Sequence, residues 1–304
     1  MRCLIVHNPR SGPRSDELYD FTHALAREGD EIVMRFIGED LEAVDAVADV
    51  LDFDRVVVSG GDGTISSVLY LLRNTHVPIL VFPSGTANLF FNNIGNASDP
   101  AALAQTCREG RTVTTDMGEL EWQEEDGEVK RHGFINIAGT GFDADIMSGA
   151  EESKAEKGQV AYFISAFNNL TPEVAHFTIE CDGETHEKDG IGCMVGNTAV
   201  IQNGINLFPD CSMTDGLIDV AVIETGATLE LAPTAIAAVI DREGKTLGRP
   251  QFRIYQTREV KITSTPSLNM EYDGEVVKSN TGVFSARALP GCLDLIVDQF
   301  SKLV

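Results

Sequence analysis

Within the first 110 residues, short apolar runs alternate with helically spaced segments, and that rhythm admits few folds. Cys3-Leu4-Ile5-Val6 stops at Asn8-Pro9-Arg10-Ser11-Gly12, a turn cluster. Leu18, Phe21 and Leu25 keep helical spacing over 16–28, followed by a strand at Glu31–Ile37 and an Ala/Val-rich helix over 41–51. Arg55-Val56-Val57-Val58 reads as a buried parallel strand ending in Ser59-Gly60-Gly61-Asp62-Gly63-Thr64. A helix through Val68, Leu69 and Leu72 leads to a strand at Pro78–Phe82, which ends in Pro83-Ser84-Gly85-Thr86. Strands alternating with helices imply βαβ units, right-handed crossovers and a parallel sheet.

Near residue 112 the rhythm changes. Short β-like pieces take over at Glu119–Gln123, Gly133–Ala138, Ala175–Cys181, Gly192–Gly196, Leu217–Ile223, Gln251–Tyr255, Val260–Thr263 and Gly282–Ala286. Helical stretches at 157–170 and 228–241 interrupt them, and Gly- and Asp-rich turns punctuate the region, as in an antiparallel sandwich or barrel. The expected architecture is α/β plus all-β. Residues 1–111 form a parallel-sheet α/β domain and 112–292 a β-rich domain, with the apolar strand Leu293–Val297 and the rest of 293–304 returning to the first.

Charge narrows the partners. The 304 residues carry 23 Lys plus Arg against 47 Asp plus Glu, a formal net charge of −24. That argues against a nucleic-acid binder and against a broad polybasic lipid anchor. It fits an acidic cytoplasmic protein first and a halophile second. The 6 Cys include no CxxC, and with no clustered His they read as reduced, mostly buried thiols. The opening MRCLIVHNP is too short and too soon broken to read as a signal peptide, and no segment approaches the roughly 20 apolar residues that span a bilayer. Any membrane contact is therefore expected to be peripheral.

Ligands of parallel sheets bind at the carboxyl ends of strands. Three such ends here carry glycine and hydroxyl residues: Asn8 to Gly12, Gly60 to Thr64, and Ser84 to Thr86. Glycines let backbone N–H groups approach a phosphate, and a following helix N-terminus favours its charge. A tight strand-to-helix turn would use Gly and Asp as well, so the local pattern leaves both readings open. Neither a Walker A loop nor a GxGxxG fingerprint is present. Arg10 and Arg14 are candidates to neutralise phosphate, although each taken singly reads first as a solvated surface residue.

Taken together, Asn8-Pro9-Arg10-Ser11-Gly12, GGDGT and PSGTANLF resemble the diacylglycerol kinase catalytic-domain family, which includes sphingosine and ceramide kinases and bacterial lipid kinases. The likeness continues in order through Asp116-Met117-Gly118, Gly141-Phe142-Asp143-Ala144, Lys157-Gly158 with Ala161-Tyr162, Gly196-Asn197, Asp215-Gly216-Leu217-Ile218-Asp219 and Asp273-Gly274-Glu275. The resemblance implies an ATP- and Mg²⁺-dependent lipid kinase whose nucleotide and β-rich lobes flank the active site in a cleft. Its acceptor would be a diacylglycerol-like or sphingoid-like lipid at a membrane surface, and a homodimer stays open. It also implies that Asn8, Pro9, Arg10, Ser11, Gly12, Gly60, Gly61, Asp62, Gly63, Thr64, Ser84, Gly85 and Thr86 meet the nucleotide. Asp62 would serve the Mg–phosphate or acceptor network, and Asp116 matches an acidic position tied to it. Asp273 and Glu275 would bring carboxylates to the acceptor, with Glu275 as proton acceptor, although Asp273-Gly274 alone reads as a hairpin turn. Asp215 with the carbonyls of Ser212 and Leu217 would form a metal site, where an ordinary Asp-Gly turn is the other reading.

Several positions depart from the family pattern. Ser66 and Ser67 follow Ile65 where Asn and Glu are usual, and Leu89 follows Ala87-Asn88. These motivate a second reading, a nucleotide- or lipid-binding homologue without turnover. NAD kinase, which shares a GGDG loop, is a third. Tyr162, Phe163 and Phe167 make the stretch 157–170 a candidate lipid-side element or simply core.

Overall fold

The computed structural model describes residues 1–12, 15–124, 126–141, 172–201, 204–277 and 281–303. Pro13, Arg14, Phe142-Asp143-Ala144, Lys157-Gly158, Ala161-Tyr162, the expected helix 157–170 and Gln202-Asn203 lie outside the described residues. Two compact units divide the chain. One comprises Met1–Met117, Met213–Gly216 and Leu289–Val304, the other Gly118–Ser212 and Leu217–Ala288.

In the first unit, β1 (Arg2–His7), α1 (Glu17–Leu25), β2 (Glu31–Phe36), α2 (Ala43–Ala46), β3 (Arg55–Gly60), α3 (Asp62–Leu72), β4 (Ile79–Pro83), α4 (Leu89–Ile94) and α5 (Pro100–Glu109) follow in order. The four strands are parallel in the order β2-β1-β3-β4, with Leu4 opposite Val33 and Val56, and Val57 opposite Leu80. The runs Cys3–Val6 and Val56–Val58 are fully buried, as strands covered on both faces require. Helix α1 turns Leu18, Phe21 and Leu25 inward at i, i+3 and i+7, and Phe21 meets Phe82 edge-on with ring centroids 5.2 Å apart. Helix α5 opens on Asp99, whose carboxylate accepts from Ala102 N–H at 2.9 Å, with Pro100 at its first turn.

The expected helix over 41–51 forms only as α2 and a short 3-10 turn at Val50–Asp52. Val and Asp are poor helix formers, and Asp49 is drawn away by Arg35, whose Nη2 donates to it at 2.7 Å.

The β-rich unit takes up the second part of β5 (Arg111–Gln123) and then β6 (Val129–Phe134), β7 (Ile137–Gly141), β8 (Ala175–Cys181), β9 (Glu184–Gly190), β10 (Gly192–Gly196), β11 (Val200–Ile201) and β12 (Ile205–Asn206). It continues with β13 (Ile218–Ile223), α6 (Ala232–Ile240), β14 (Phe252–Thr257), β15 (Glu259–Thr265), β16 (Met270–Tyr272), β17 (Glu275–Val277) and the first part of β18 (Val283–Val297). One antiparallel sheet runs β14-β13-β10-β7-β16-β17, and β18, β15, β8 and β9 pair antiparallel in a second layer. Alternate residues of both layers, among them Phe134, Phe177, Ile179, Val195, Val220 and Ile262, fill one core. A smaller core under α6 joins Leu231 to Phe208, Met194, Ala221 and Ile223.

Two expected boundaries move. Gly133–Ala138 is the end of β6 and the start of β7, and Gly282–Ala286 with Leu293–Val297 is a single strand, β18. The last stretch of β18 lies parallel to β4, with Leu295 opposite Ile79. All six cysteines are free thiols. Among the described residues, no helix is long and apolar enough to cross a membrane.

Phe21 has no exposed surface and spans from α1 to the sheet. Phe21→Ala is expected to lower the unfolding free energy by about 3–5 kcal/mol, read as a shift of the urea midpoint at unchanged slope.

Candidate active site

The loops after β1, β3 and β4 leave the same edge of the parallel sheet, and side-chain contacts bind them together. Thr64, in the first turn of α3, is their meeting point. Asn8 Nδ2 donates to Thr64 Oγ1 at 2.8 Å, and Ser11 Oγ lies 3.3 Å from the same oxygen. Asn8 Oδ1 accepts from Arg10 N–H at 3.0 Å, which closes the Asn8–Gly12 loop on itself. A second chain runs from His7 Nδ1 to Ser59 Oγ at 2.9 Å and on to Ser84 Oγ at 2.6 Å.

The glycines permit this approach, each in its own way. A Cβ on Gly12, which has φ +63°, would stand 2.0 Å from the Ser84 carbonyl oxygen. One on Gly85 would stand 2.6 Å from Gly61 Cα, and one on Gly60 would strike the Thr64 side chain at 2.6 Å. Gly61 differs. It has φ −82°, and the nearest atom to a Cβ placed there is Ser11 Oγ at 3.8 Å, so neither backbone strain nor packing demands glycine. A methyl there would meet Ser11 and Gly85 at ordinary van der Waals distance, and no side chain caps the N-terminus of α3. First-turn N–H groups lack intrahelical partners, and the helix dipole favours an anion there. Ser11 Oγ lies beside that N-terminus, and a hydroxyl with first-turn N–H groups is a donor set that suits a nucleotide phosphate.

Asp62 has a defined task in this arrangement. Its Oδ2 accepts from Leu89 N–H at 3.1 Å and its Oδ1 from Phe90 N–H at 2.9 Å, so it caps α4 from another loop. Asn88, the residue before α4, has φ +49° and makes no cap of its own. Its amide instead closes the Gly85 loop, accepting from Gly85 N–H at 2.8 Å and donating to Gly85 O at 3.0 Å. Thr86 is exposed at the tip of that loop. Arg10 Nη2 pairs with Glu39 at 2.6 Å on the open surface. Ser67 Oγ donates back to Gly63 O at 3.0 Å within α3.

A cavity of about 360 Å³ adjoins the loops, lined by His7, Pro9, Ser11, Tyr19, Phe36 and Ser84 among others. Phe36 and His7 meet edge-on at 5.8 Å there. Its mixture of ring faces and hydroxyls suits a flat heteroaromatic base beside the phosphate loops.

Asp116 is buried and holds a turn. Its Oδ2 accepts from Gly216 N–H and its Oδ1 from Gly291 N–H, both at 2.7 Å, while its own N–H donates to Met213 O at 2.7 Å. It thereby fixes the segment 213–216, on which Asp215 is exposed and Gly216 takes φ +75°. Ser212 and Leu217 flank that segment in the chain. A carboxylate with backbone carbonyls is an oxygen-only donor set, which fits a hard divalent cation.

In the β-rich unit, Asp273 and Gly274 form the two-residue turn between β16 and β17, with φ +47° and +89°, as a type I′ hairpin turn requires. Asp273 accepts from Ile135 and Asn136 N–H, each at 2.8 Å, and its N–H donates to Ile137 O at 2.9 Å. Those bonds hold the two-residue link between β6 and β7, Ile135-Asn136. Asn197, fully buried, donates from Nδ2 to Ile135 O at 3.0 Å and steadies the same corner. Glu275, one residue past the turn, is exposed. Tyr272 stands directly opposite it in the hairpin. Burial, then the charges of Glu275 and Asp273, push the Tyr272 phenol up to about 12, so it stays a donor. Its ring lies against His132, centroids 4.7 Å apart and tilted by 32°. Sequence reading singled out Asp273 and Glu275 alike. The structure commits Asp273 to backbone and leaves Glu275 to face solvent.

Tyr272, Asn136 and His7 belong to none of the sequence motifs; Tyr272 and His7 adjoin Asp273-Gly274 and Asn8-Pro9, the signal that could have found them, while Asn136 has none.

The model of the diacylglycerol kinase catalytic domain matches residues 2–120, and that of the YegS C-terminal NAD kinase beta sandwich-like domain matches 136–297. A diacylglycerol kinase of Mycobacterium tuberculosis is 30% identical over 73% of this chain and 70% of its own length. A probable lipid kinase YegS-like protein of Alcanivorax borkumensis is 27% identical over 99% of this chain and 98% of its own. The crystal structure of a diacylglycerol kinase from Bacillus anthracis has the same fold, with TM-score 0.70 at 21% identity over 98% of this chain and 97% of that one. Yeast NADH kinase is a more distant likeness, with TM-score 0.56 at 13% identity over 98% of this chain and 84% of that one.

The His7 ring beside these loops is held below its ordinary value of 6.5 by burial, which the Ser59 contact only partly opposes. Above that pH the ring is neutral in both folded and unfolded chains. As pH falls through 6.5 the unfolded chain takes up a proton that the folded ring resists, so stability declines. Urea unfolding compared near pH 8 and near pH 5.5 is expected to show this loss, and His7→Asn to lessen it.

Proposed function

Since the chain belongs to the diacylglycerol kinase catalytic-domain family, and is an ATP-dependent lipid kinase, we propose that it transfers the ATP γ-phosphate to the free hydroxyl of a diacylglycerol-like acceptor. The observation that carries the nucleotide half is the uncapped N-terminus of α3 at Gly61, framed by Ser11 and Gly85. In this reading the first-turn N–H groups and the hydroxyl of Ser11 hold phosphate oxygens, and the cavity at His7 and Phe36 takes the base. Asp62 keeps the third loop in place through α4. Relatives named diacylglycerol kinase, in Mycobacterium tuberculosis and Staphylococcus aureus, support the choice of acceptor over a sphingoid base.

Phosphoryl transfer asks the protein chiefly for position and charge neutralisation. Glu275 takes the proton from the acceptor hydroxyl as that oxygen attacks phosphorus, and ADP leaves. Tyr272, opposite Glu275 in the hairpin and kept protonated, stands beside that carboxylate. Asp215, on the turn that Asp116 ties down, offers a carboxylate to a divalent cation. When bound, Mg²⁺ neutralises charge on the phosphoryl oxygens. The acceptor lies in a bilayer, so the enzyme works at a membrane surface.

Purified protein with labelled ATP, Mg²⁺ and a panel of short-chain diacylglycerol, sphingosine and monoacylglycerol tests this directly. Label is expected in phosphatidic acid. Transfer only to sphingosine, or to no lipid at all, would refute the acceptor assignment. Glu275→Gln is expected to lower kcat by about 10²- to 10⁴-fold at nearly unchanged KM for ATP. Gly61→Ala strains no internal contact, so it is expected to raise KM for ATP while leaving the urea midpoint in place.

A further inference from the structure

Helix α6 (Ala232–Ile240, APTAIAAVI) contains no charged residue in a chain whose net charge is −24. Its inner side is accounted for. Leu231 enters the small core with Phe208 and Met194, Ala237 and Ala238 are buried, and Thr234 Oγ1 donates to Gln251 Oε1 at 2.6 Å. The outer side is apolar too. Ala232, Pro233, Ile236 and Ile240 are exposed and fall within an arc of about 100° at 3.6 residues per turn. Ile236 is 60% exposed and Ile240 72%, with Leu247 in the following loop at 48%. A helix that is apolar on every side is ordinarily buried or in lipid.

The loop after α6 is built to stay put. Asp241 accepts from Gly244 N–H at 3.0 Å and from Thr246 and Leu247 N–H at 2.7 Å. Arg249, 6% exposed, donates to the carbonyls of Asn206, Arg242 and Gly248 at 2.7–2.9 Å. Leu247 is therefore held outward by a satisfied hydrogen-bond frame.

We propose that the outer face of α6, with Leu247, docks this protein on a membrane by inserting into the apolar boundary of an uncharged lipid surface. Charge selects this occupant. A second copy would bring another −24 against the first, and an anionic bilayer would be repelled likewise. An electrically neutral lipid face meets a charge-free helix without that penalty, and attraction then scales with buried apolar area. The proposal rests on the lipid-acceptor reading above, because a bilayer-resident acceptor is what makes docking useful.

Flotation of the full chain with phosphatidylcholine vesicles, with and without diacylglycerol, tests it. Wild type is expected to float equally at low and high salt. Ile236→Glu combined with Ile240→Glu is expected to cut the bound fraction about ten-fold or more, and the Ile236→Leu, Ile240→Leu pair to retain it. The chain has one tryptophan, Trp122, and it is buried, so Ile240→Trp adds a reporter whose emission should move to shorter wavelength on adding vesicles. The Glu pair is expected to phosphorylate a short-chain diacylglycerol in solution as wild type does, which separates docking from folding. Wild-type flotation by the Glu pair would overturn the proposal. So would a wild-type dimer that the Glu pair splits with vesicle binding intact, since the face would then belong to a second copy. Should wild type phosphorylate no diacylglycerol in solution, the acceptor reading fails while flotation still decides the docking face.

Discussion

Glycine-to-backbone approach at the carboxyl edge of the parallel strands sets everything else in the first unit. Gly85 stands so near Gly61, and Gly12 so near the Ser84 carbonyl, that a single methyl at either would separate the loops. Only at that spacing can Thr64 bond Asn8 and lie beside Ser11, and Asp62 reach the first turn of α4. The loops are thus bound before any ligand arrives, so little ordering is left for a nucleotide to impose. The same spacing resolves an electrostatic difficulty. Asp62 beside a phosphate would be repulsive, but its charge is spent on two N–H groups at the positive end of α4. In a chain short of lysine and arginine, backbone N–H groups are the donors this edge offers to an anion.

The β-rich unit sorts its carboxylates by a similar rule. Asp273 and Glu275 are two residues apart on one hairpin, yet the left-handed backbone of the turn directs Asp273 onto the N–H groups of Ile135 and Asn136. Glu275 starts β17 opposite Tyr272, whose phenol is kept protonated by burial and by the adjoining charges. One acid is consumed by the fold and the other is left beside a protonated phenol. Asp116 belongs with Asp273, since both of its oxygens are taken by the turns that it joins.

Strands with an apolar signature were legible. Ala175–Cys181 and Gly192–Gly196 are strands with those very ends, and the runs at Cys3–Val6 and Arg55–Val58 lie inside β1 and β3. Glu184–Gly190 was not, because as a neighbour of β8 alone it needs no apolar face and spells ETHEKDG. The helix expected at 41–51 failed because Asp49 is more useful to Arg35 than to a helix. The expected pieces Gly282–Ala286 and Leu293–Val297 are not separate, because the strand runs on through Pro290 and Gly291. Among the site residues, Gly60, Gly61 and Gly85 could be named from their strand-end positions. That Gly61 alone of the three could carry a Cβ without a clash could not, because it depends on how near two other loops come.

The sequence by itself determined the alternation of strand and helix, the change to β-rich structure near residue 112, the uncharged character of APTAIAAVI and the chemical types available at each strand end. These follow from local properties: periodicity, turn chemistry and composition. Tertiary structure alone decided which carboxylates are occupied and which glycine could carry a side chain without a clash. It also decided which side of α6 remains uncovered. Such outcomes depend on distances between segments far apart in the chain, and no local pattern encodes them.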